Sequence, residues 1–282
     1  ALTQAFENLY HRYNRKQQHI DLDPVRYPRS YKDIHDQELV AFIAAMLSFG
    51  RVASIQTCLD AIFSSLGPQP LESVLAGTYR NDLGFSQYRW IRKPTILSML
   101  DALQEIYRTY SSIEAFFLDC QTQSTENSLQ STLKVFSTRM RLIMKTHAGQ
   151  SYSNREHHFL IAHPGSGSAC KRMMMFLRWM IRKSFPDLGL WPSMKEDMLM
   201  IPLDTHMLQF ASHLSLTQRK TPGWNLAQDV TDFFSTLSPE DPLRYDFALV
   251  RMGVEGDCRH QWVPTLCKAC PIQSFCVYGT RH

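Results

Sequence analysis

The chain has 282 residues, of which 44% are hydrophobic, 20% charged and 11% aromatic, with a formal net charge of +4 and a pI near 8.7. That length supports one large domain or two modest ones without covalent staples, and the composition excludes a mainly disordered chain. No apolar run reaches the roughly 18 residues of a membrane span. The opening ALTQAFENLYHRYNRKQQ lacks the apolar stretch and cleavage site of a signal peptide, so a cytoplasmic place and no membrane partner are expected. The mild positive charge admits a polyanionic partner without requiring one.

Taken in order, residues 1–20 predict an amphipathic helix, with Leu2, Phe6, Leu9 and Tyr13 at helical spacing. Residues 21–36 carry Pro24 and Pro28 and little apolar content, and read as an extended link. Residues 37–48 (QELVAFIAAMLS) are apolar almost all round, which predicts a buried helix. Phe49-Gly50-Arg51 breaks it. Helical patterns return at 54–65, 71–76, 93–108 and 112–119. Residues 85–93 interleave Phe85, Tyr88 and Trp90 with Arg89, Arg92 and Lys93. That pattern suits either a nucleic-acid surface or an interhelical corner with a solvated edge. Residues 121–128 are polar and predict a loop, and 129–146 a basic amphipathic helix with Lys134, Arg139, Arg141 and Lys145. Residues 147–168 read as loop, and about 169–182 as an apolar helix. Residues 184–198 look like an inserted loop, and a further helix is expected from about Leu243 to Met252. Strand signals are scarce and no internal repeat is present, so the fold class is all-α.

Four of the seven cysteines fall within nineteen residues: Cys258, Cys267, Cys270 and Cys276, spaced C-x8-C-x2-C-x5-C. Two thiolates separated by two residues turn onto one metal centre, and the outer pair completes a tetrahedral set. Zinc and a [4Fe–4S] cluster both accept four thiolates. Most four-cysteine zinc sites pair two C-x2-C knuckles. The single pair here, with unequal flanks and Pro271 after a ligand, favours the cluster, with zinc as the alternative. Cys58, Cys120 and Cys170 read as small core residues or free thiols.

Two further stretches carry chemistry-bearing residues. In Leu203-Asp204-Thr205-His206, an aspartate precedes an apolar-periodic run, the signature of a helix N-cap. In His163-Pro164-Gly165-Ser166-Gly167-Ser168-Ala169-Cys170-Lys171-Arg172, a glycine-rich segment leads into a helix beginning near Lys171. It lacks the Gly-Lys-Ser/Thr end of a phosphate loop. A lysine at the positive end of a helix has its pKa lowered, leaving a free amine able to act as a nucleophile. A phosphate contact or a solvated surface charge is the plainer role.

Together these stretches resemble the helix-hairpin-helix DNA glycosylases of the endonuclease III type. Members carry their essential aspartate in V-D-T-H or V-D-V-H at a helix start, a hairpin reading L-P-G-V-G-x-K, and a cysteine loop spaced C-x6-C-x2-C-x5-C. This chain departs by two residues in the first cysteine interval and by a lysine two positions late. The resemblance implies two helical domains, 37–200 and 1–36 plus 201–282, with a DNA-binding cleft between them. It implies catalysis by Asp204 and Lys171, and a monomer acting on double-stranded DNA with a damaged base. Arg172 and the backbone of Gly165 and Gly167 are expected on phosphate. Met46-Leu47-Ser48-Phe49-Gly50-Arg51 is similar to the family's L-S-A-Q-A-T turn, placing Phe49 or Arg51 in the hole left by a flipped base. Trp191 and His206 are expected on the base itself. The 33-residue interval from Lys171 to Asp204 is similar to that of archaeal 8-oxoguanine glycosylases, which implies an oxidised purine. A monofunctional glycosylase using Asp204-activated water, or a DNA- or RNA-binding protein without catalysis, are the alternatives.

Overall fold

A computed structural model describes residues 1–14, 20–21, 23–81 and 83–280. The chain divides into two units: one joins residues 1–21 to residues 167–282, and the other runs continuously over 22–166. Helix dominates both, as expected for an all-α chain.

Helix α1 (Leu2–Tyr13) opens the discontinuous unit and ends at Asn14. The last part of the helix expected over 1–20 therefore does not form at Asn14, and residues 15–19 lie outside those described. Phe6 and Leu9 are buried, and Phe6 meets the rings of Phe234 and Tyr245 at 5.6 and 5.3 Å.

The continuous unit is built around α3. It comprises α2 (Arg26–Arg29), α3 (Ile34–Leu47), α4 (Val52–Leu66) and α5 (Pro70–Ala76), then strands β1 (Gln87–Tyr88) and β2 (Ile91–Arg92). Helices α6 (Lys93–Tyr110), α7 (Ile113–Thr122), α8 (Leu129–Ala148) and α9 (Asn154–Leu160) complete it. Every residue from Leu39 to Leu47 is at most 1% exposed, because α3 is apolar all round and is enclosed by its neighbours. Phe42, Phe116 and Phe117 converge on Phe136 of α8.

Two stretches expected to be irregular are partly helical. Within 21–36, Pro28 lies in the first turn of α2, where proline is tolerated. Asp33 then starts α3 by accepting the N–H groups of His35 and Asp36 at 2.9 and 3.1 Å. Within 147–168, Ser153 caps α9, and its polar residues are satisfied internally. Glu156 accepts from Arg92 N–H, Arg92 Nε and Thr95 Oγ1, and His157 meets Ser98 Oγ at 3.0 Å. Residues 87–92 form an antiparallel hairpin whose turn holds Arg89 at φ 55°.

The discontinuous unit continues with α10 (Lys171–Ile181), α11 (Thr205–His213), α12 (Trp224–Leu237), α13 (Asp246–Val254) and α14 (Pro264–Cys267). The division falls at 166/167, not at 200/201, and at 21/22, not at 36/37. Its cause is a buried charge network. Arg178 of α10 bonds Asp187 and Asp246, and Arg182 bonds Asp187 and Asp241. These pairs fasten α10 to the C-terminal region, since an unpaired buried charge is costly. Residues 184–198 fold back on the same helix, with Leu188 and Trp191 donating N–H bonds to the carbonyls of Trp179 and Met180.

Candidate functional site on α11

Asp204 begins α11 as its N-cap, and its Oδ1 accepts the Met207 N–H at 2.7 Å. Half of its surface logic is therefore structural: one of the orphan donors of the first turn is satisfied. The carboxylate remains partly exposed. Its charge acts on two neighbours. Burial raises Asp246 to about 6, with the Asp204 charge adding to the rise and Arg178 opposing it. Burial and the charges of His213 and His206 push His260 down to about 4, against the pull of Asp204.

Lys171 is the first residue of α10, following Cys170 in the left-handed region at φ 48°. No side chain caps this helix, so its first N–H groups keep their partial positive charge. Seven residues on, Arg178 lies on the same face. Arg178 Nη1 donates to Asp246 Oδ2, while Asp246 Oδ1 is buried without a hydrogen-bond partner among the described residues. Lys171 and Asp204 thus belong to one unit.

All four C-terminal cysteines line one cavity, whose wall includes Phe210, His213 and Leu214 from α11 and its end, and Met252 of α13. Burial pushes the Cys270 thiol up to about 11, and Cys258, Cys276 and Cys267 add to the rise. Cys258 moves upward for the same reasons. The Val263 N–H points at Cys267 Sγ, 3.4 Å away. Among the described residues, no three His, Cys, Asp or Glu side chains close on a position for one metal ion. The donor set itself is four sulfurs on a mainly apolar wall, where each ionised thiol makes the next more costly.

Residues 23–255 match DUF2400, described as a protein of unknown function. The chain belongs to this family. No curated protein and no solved structure matches it. The DUF2400 match includes Lys171 and Asp204 and stops short of Cys258.

The remaining expected contacts are placed differently. Trp191 is 1% exposed and packs edge-on against Phe176 at 5.3 Å, so it is a core residue and not a base contact. Its burial follows from the return of residues 188–191 onto α10. His206 is half-buried, with Nδ1 3.2 Å from His260 Nε2. The Gly165 N–H is taken by His163 Nδ1 at 2.9 Å and is not available to a phosphate. Gly167 holds φ 79°, and its carbonyl accepts the Trp224 N–H. Arg172 is half-buried, and burial pushes its guanidinium down to about 10. Phe49 is packed among Tyr88, Trp90 and Phe159, with ring centroids 4.7, 5.6 and 4.8 Å away. It is part of a ring cluster, whereas Arg51 is exposed beside it.

Sequence reasoning missed His213 and His260, whose rings lie tilted to each other at 5.3 Å, with His213 on the wall of the cysteine cavity. It also missed Arg178 and Asp246. A signal for the second pair existed: an arginine inside the apolar run of α10 needs a buried acid.

Proposed function

We propose that the protein is a DNA glycosylase of base excision repair, acting on a damaged base in duplex DNA, with an oxidised purine as the substrate class. The observation that carries this reading is the double use of α11. Its N-terminal residue pair presents Asp204 in the motif Leu-Asp-Thr-His, and its other end walls the cavity of the four cysteines. The two features of the glycosylase resemblance thus share one short helix.

In this reading the Asp204 carboxylate stabilises positive charge on the sugar as the N-glycosidic bond breaks. The Lys171 amine attacks C1′ and forms the Schiff base from which the strand is nicked. The half-exposed rings of Phe49 and Trp90, with Arg89 5.0 Å over the Trp90 ring, suit stacking and phosphate contacts on a nucleic acid.

The cysteine set fits a [4Fe–4S] cluster held by Cys258, Cys267, Cys270 and Cys276. All four sulfurs line one cavity, which suits a group ligated by four thiolates, with zinc as the alternative. When bound, such a group supplies a cross-link of the 258–276 loop.

A second reading, a nucleic-acid-binding protein without catalysis, is favoured by the occupied Gly165 N–H and the buried Trp191. Borohydride trapping on duplex DNA containing 8-oxoguanine separates them. A covalent complex lost in Lys171→Ala supports the bifunctional glycosylase. Base release without trapping leaves a monofunctional enzyme. Binding without either, unchanged in Asp204→Asn, leaves only the second reading.

A further inference from the structure

The charge of this chain is concentrated. Residues 129–166 contain five lysines and arginines and a single glutamate, a formal +4 that equals the net charge of all 282 residues. The glutamate does not offset the surface, because Glu156 is buried and its carboxylate is occupied by Arg92 and Thr95. Arg139 faces away from the rest, bonded to Asp119 and Tyr110. Three of the others form a stripe. Lys134, Arg141 and Lys145 recur at positions i, i+7 and i+11 of α8, one helical face.

The chain after α9 is fastened along that face. Arg141 Nε donates to the Ile161 carbonyl at 2.7 Å, and Ser137 Oγ to that of Ala162 at 2.9 Å. His163 receives the Gly165 N–H on Nδ1. A side chain at residue 165 would meet the His163 ring at 2.7 Å, which keeps this position glycine. Lys134, Lys145 and Arg155 are exposed. Among the described residues, none of the three has a carboxylate within ion-pair distance. His163 reports the crowding: burial lowers its pKa, and the charges of Arg141 and Lys134 lower it further.

We infer that the exposed face of α8, with Arg155, is a docking surface for the phosphodiester backbone of a nucleic acid. The surface recognises charge and not sequence, since its cations stand free of base-reading geometry. From Lys134 to Lys145 the helix rises about 16 Å, which spans about five phosphates of one DNA strand at 3.4 Å each. An anionic membrane is the poorer occupant. Leu142, 63% exposed, stands alone on this face, and the apolar side of α8 is buried in the core, leaving nothing to insert. The inference goes beyond the glycosylase reading, because it requires a nucleic acid but no reaction.

Its test uses undamaged duplex DNA and the full chain, so that a failed glycosylase assay has no bearing on the result. Binding is measured by fluorescence anisotropy across a salt series for the wild type and for Lys134→Gln/Lys145→Gln/Arg155→Gln. A second triple variant, Lys32→Gln/Lys183→Gln/Lys195→Gln, makes the same change in net charge elsewhere. The inference expects the α8 variant to bind at least ~10-fold more weakly, with a salt slope shallower by about 2.7. The control variant should lose much less. Equal losses in both variants would overturn it, since net charge alone would then explain binding. So would an unchanged DNA affinity with lost binding to phosphatidylserine vesicles, which would assign the surface to a membrane.

Discussion

Gly253 of α13 faces His206 of α11 so closely that a Cβ there would lie 2.4 Å from Nδ1 and 2.9 Å from Cγ of the imidazole. The His206 ring is held in turn by His260, 3.2 Å away. The approach sets the start of the aspartate helix directly on α13. Alanine normally gains up to about 1 kcal/mol over glycine inside a helix. Here the overpacking cost of about 1–3 kcal/mol outweighs it. Gly253→Ala is expected to lower the urea midpoint, and His206→Ala in the same chain to restore it. A stabilised single variant would mean that the two helices part without cost.

The cap and the proposed chemistry of Asp204 separate by substitution. Asparagine caps a helix as well as aspartate, and alanine loses about 1 kcal/mol. Asp204→Asn should therefore melt within about 0.5 kcal/mol of the wild type, while Asp204→Ala is less stable. Base release from lesion-containing duplex should fall by about 10²–10³ in the asparagine variant, as when a preorganised charge is removed from a developing cation. An asparagine variant of full activity would reduce Asp204 to a cap.

The helices carried by local pattern were legible in the sequence, and the features carried by distant partners were not. Helix α3 could be read because it is apolar on every side, and the start of α11 because Asp204 is a cap by residue type. Helix α9 could not, because NREHHFL is polar and becomes stable only when Arg92 and Thr95 satisfy Glu156 and Ser98 meets His157. Trp191 has the residue type of a base contact and of a core alike. Only the return of its segment onto α10 decides between them. The unit boundary was misplaced for the same reason, since the acids that hold Arg178 and Arg182 lie up to 68 positions away.

The junction of the two chain ends gives a pH prediction. Glu7 of α1 accepts from Arg244 Nε and Nη2 at 2.7 and 2.9 Å and from the Tyr245 hydroxyl at 2.7 Å. The Arg244 hydrogen bonds are the main cause holding its carboxyl down at about 2, against an ordinary 4.5. A carboxylate with a depressed folded pKa stabilises the fold above its unfolded value and loses that contribution as pH falls. Glu7→Gln should cost about 1.5–3 kcal/mol at pH 7. The difference from the wild type should shrink below pH 4.5 and close near pH 2, followed by urea denaturation across that range. A constant difference would assign the effect to packing.

The cysteine cavity makes a prediction that needs no substrate. Burial, and after it the other cysteines, raises two of its thiols, Cys258 and Cys270, and all four cysteines line one cavity. Freshly purified protein should contain about four irons and four acid-labile sulfides per chain. Cys270→Ser should lose most of both. Because α1 reaches the same loop through the Tyr13 hydroxyl on Asp257, Tyr13→Phe should retain the iron initially but release it faster to a chelator. One zinc per chain, with no sulfide, would replace the cluster by a single ion. Its retention would then depend equally on all four cysteines. Absence of both metals from protein prepared without oxygen would leave the four thiols as a structural cluster only.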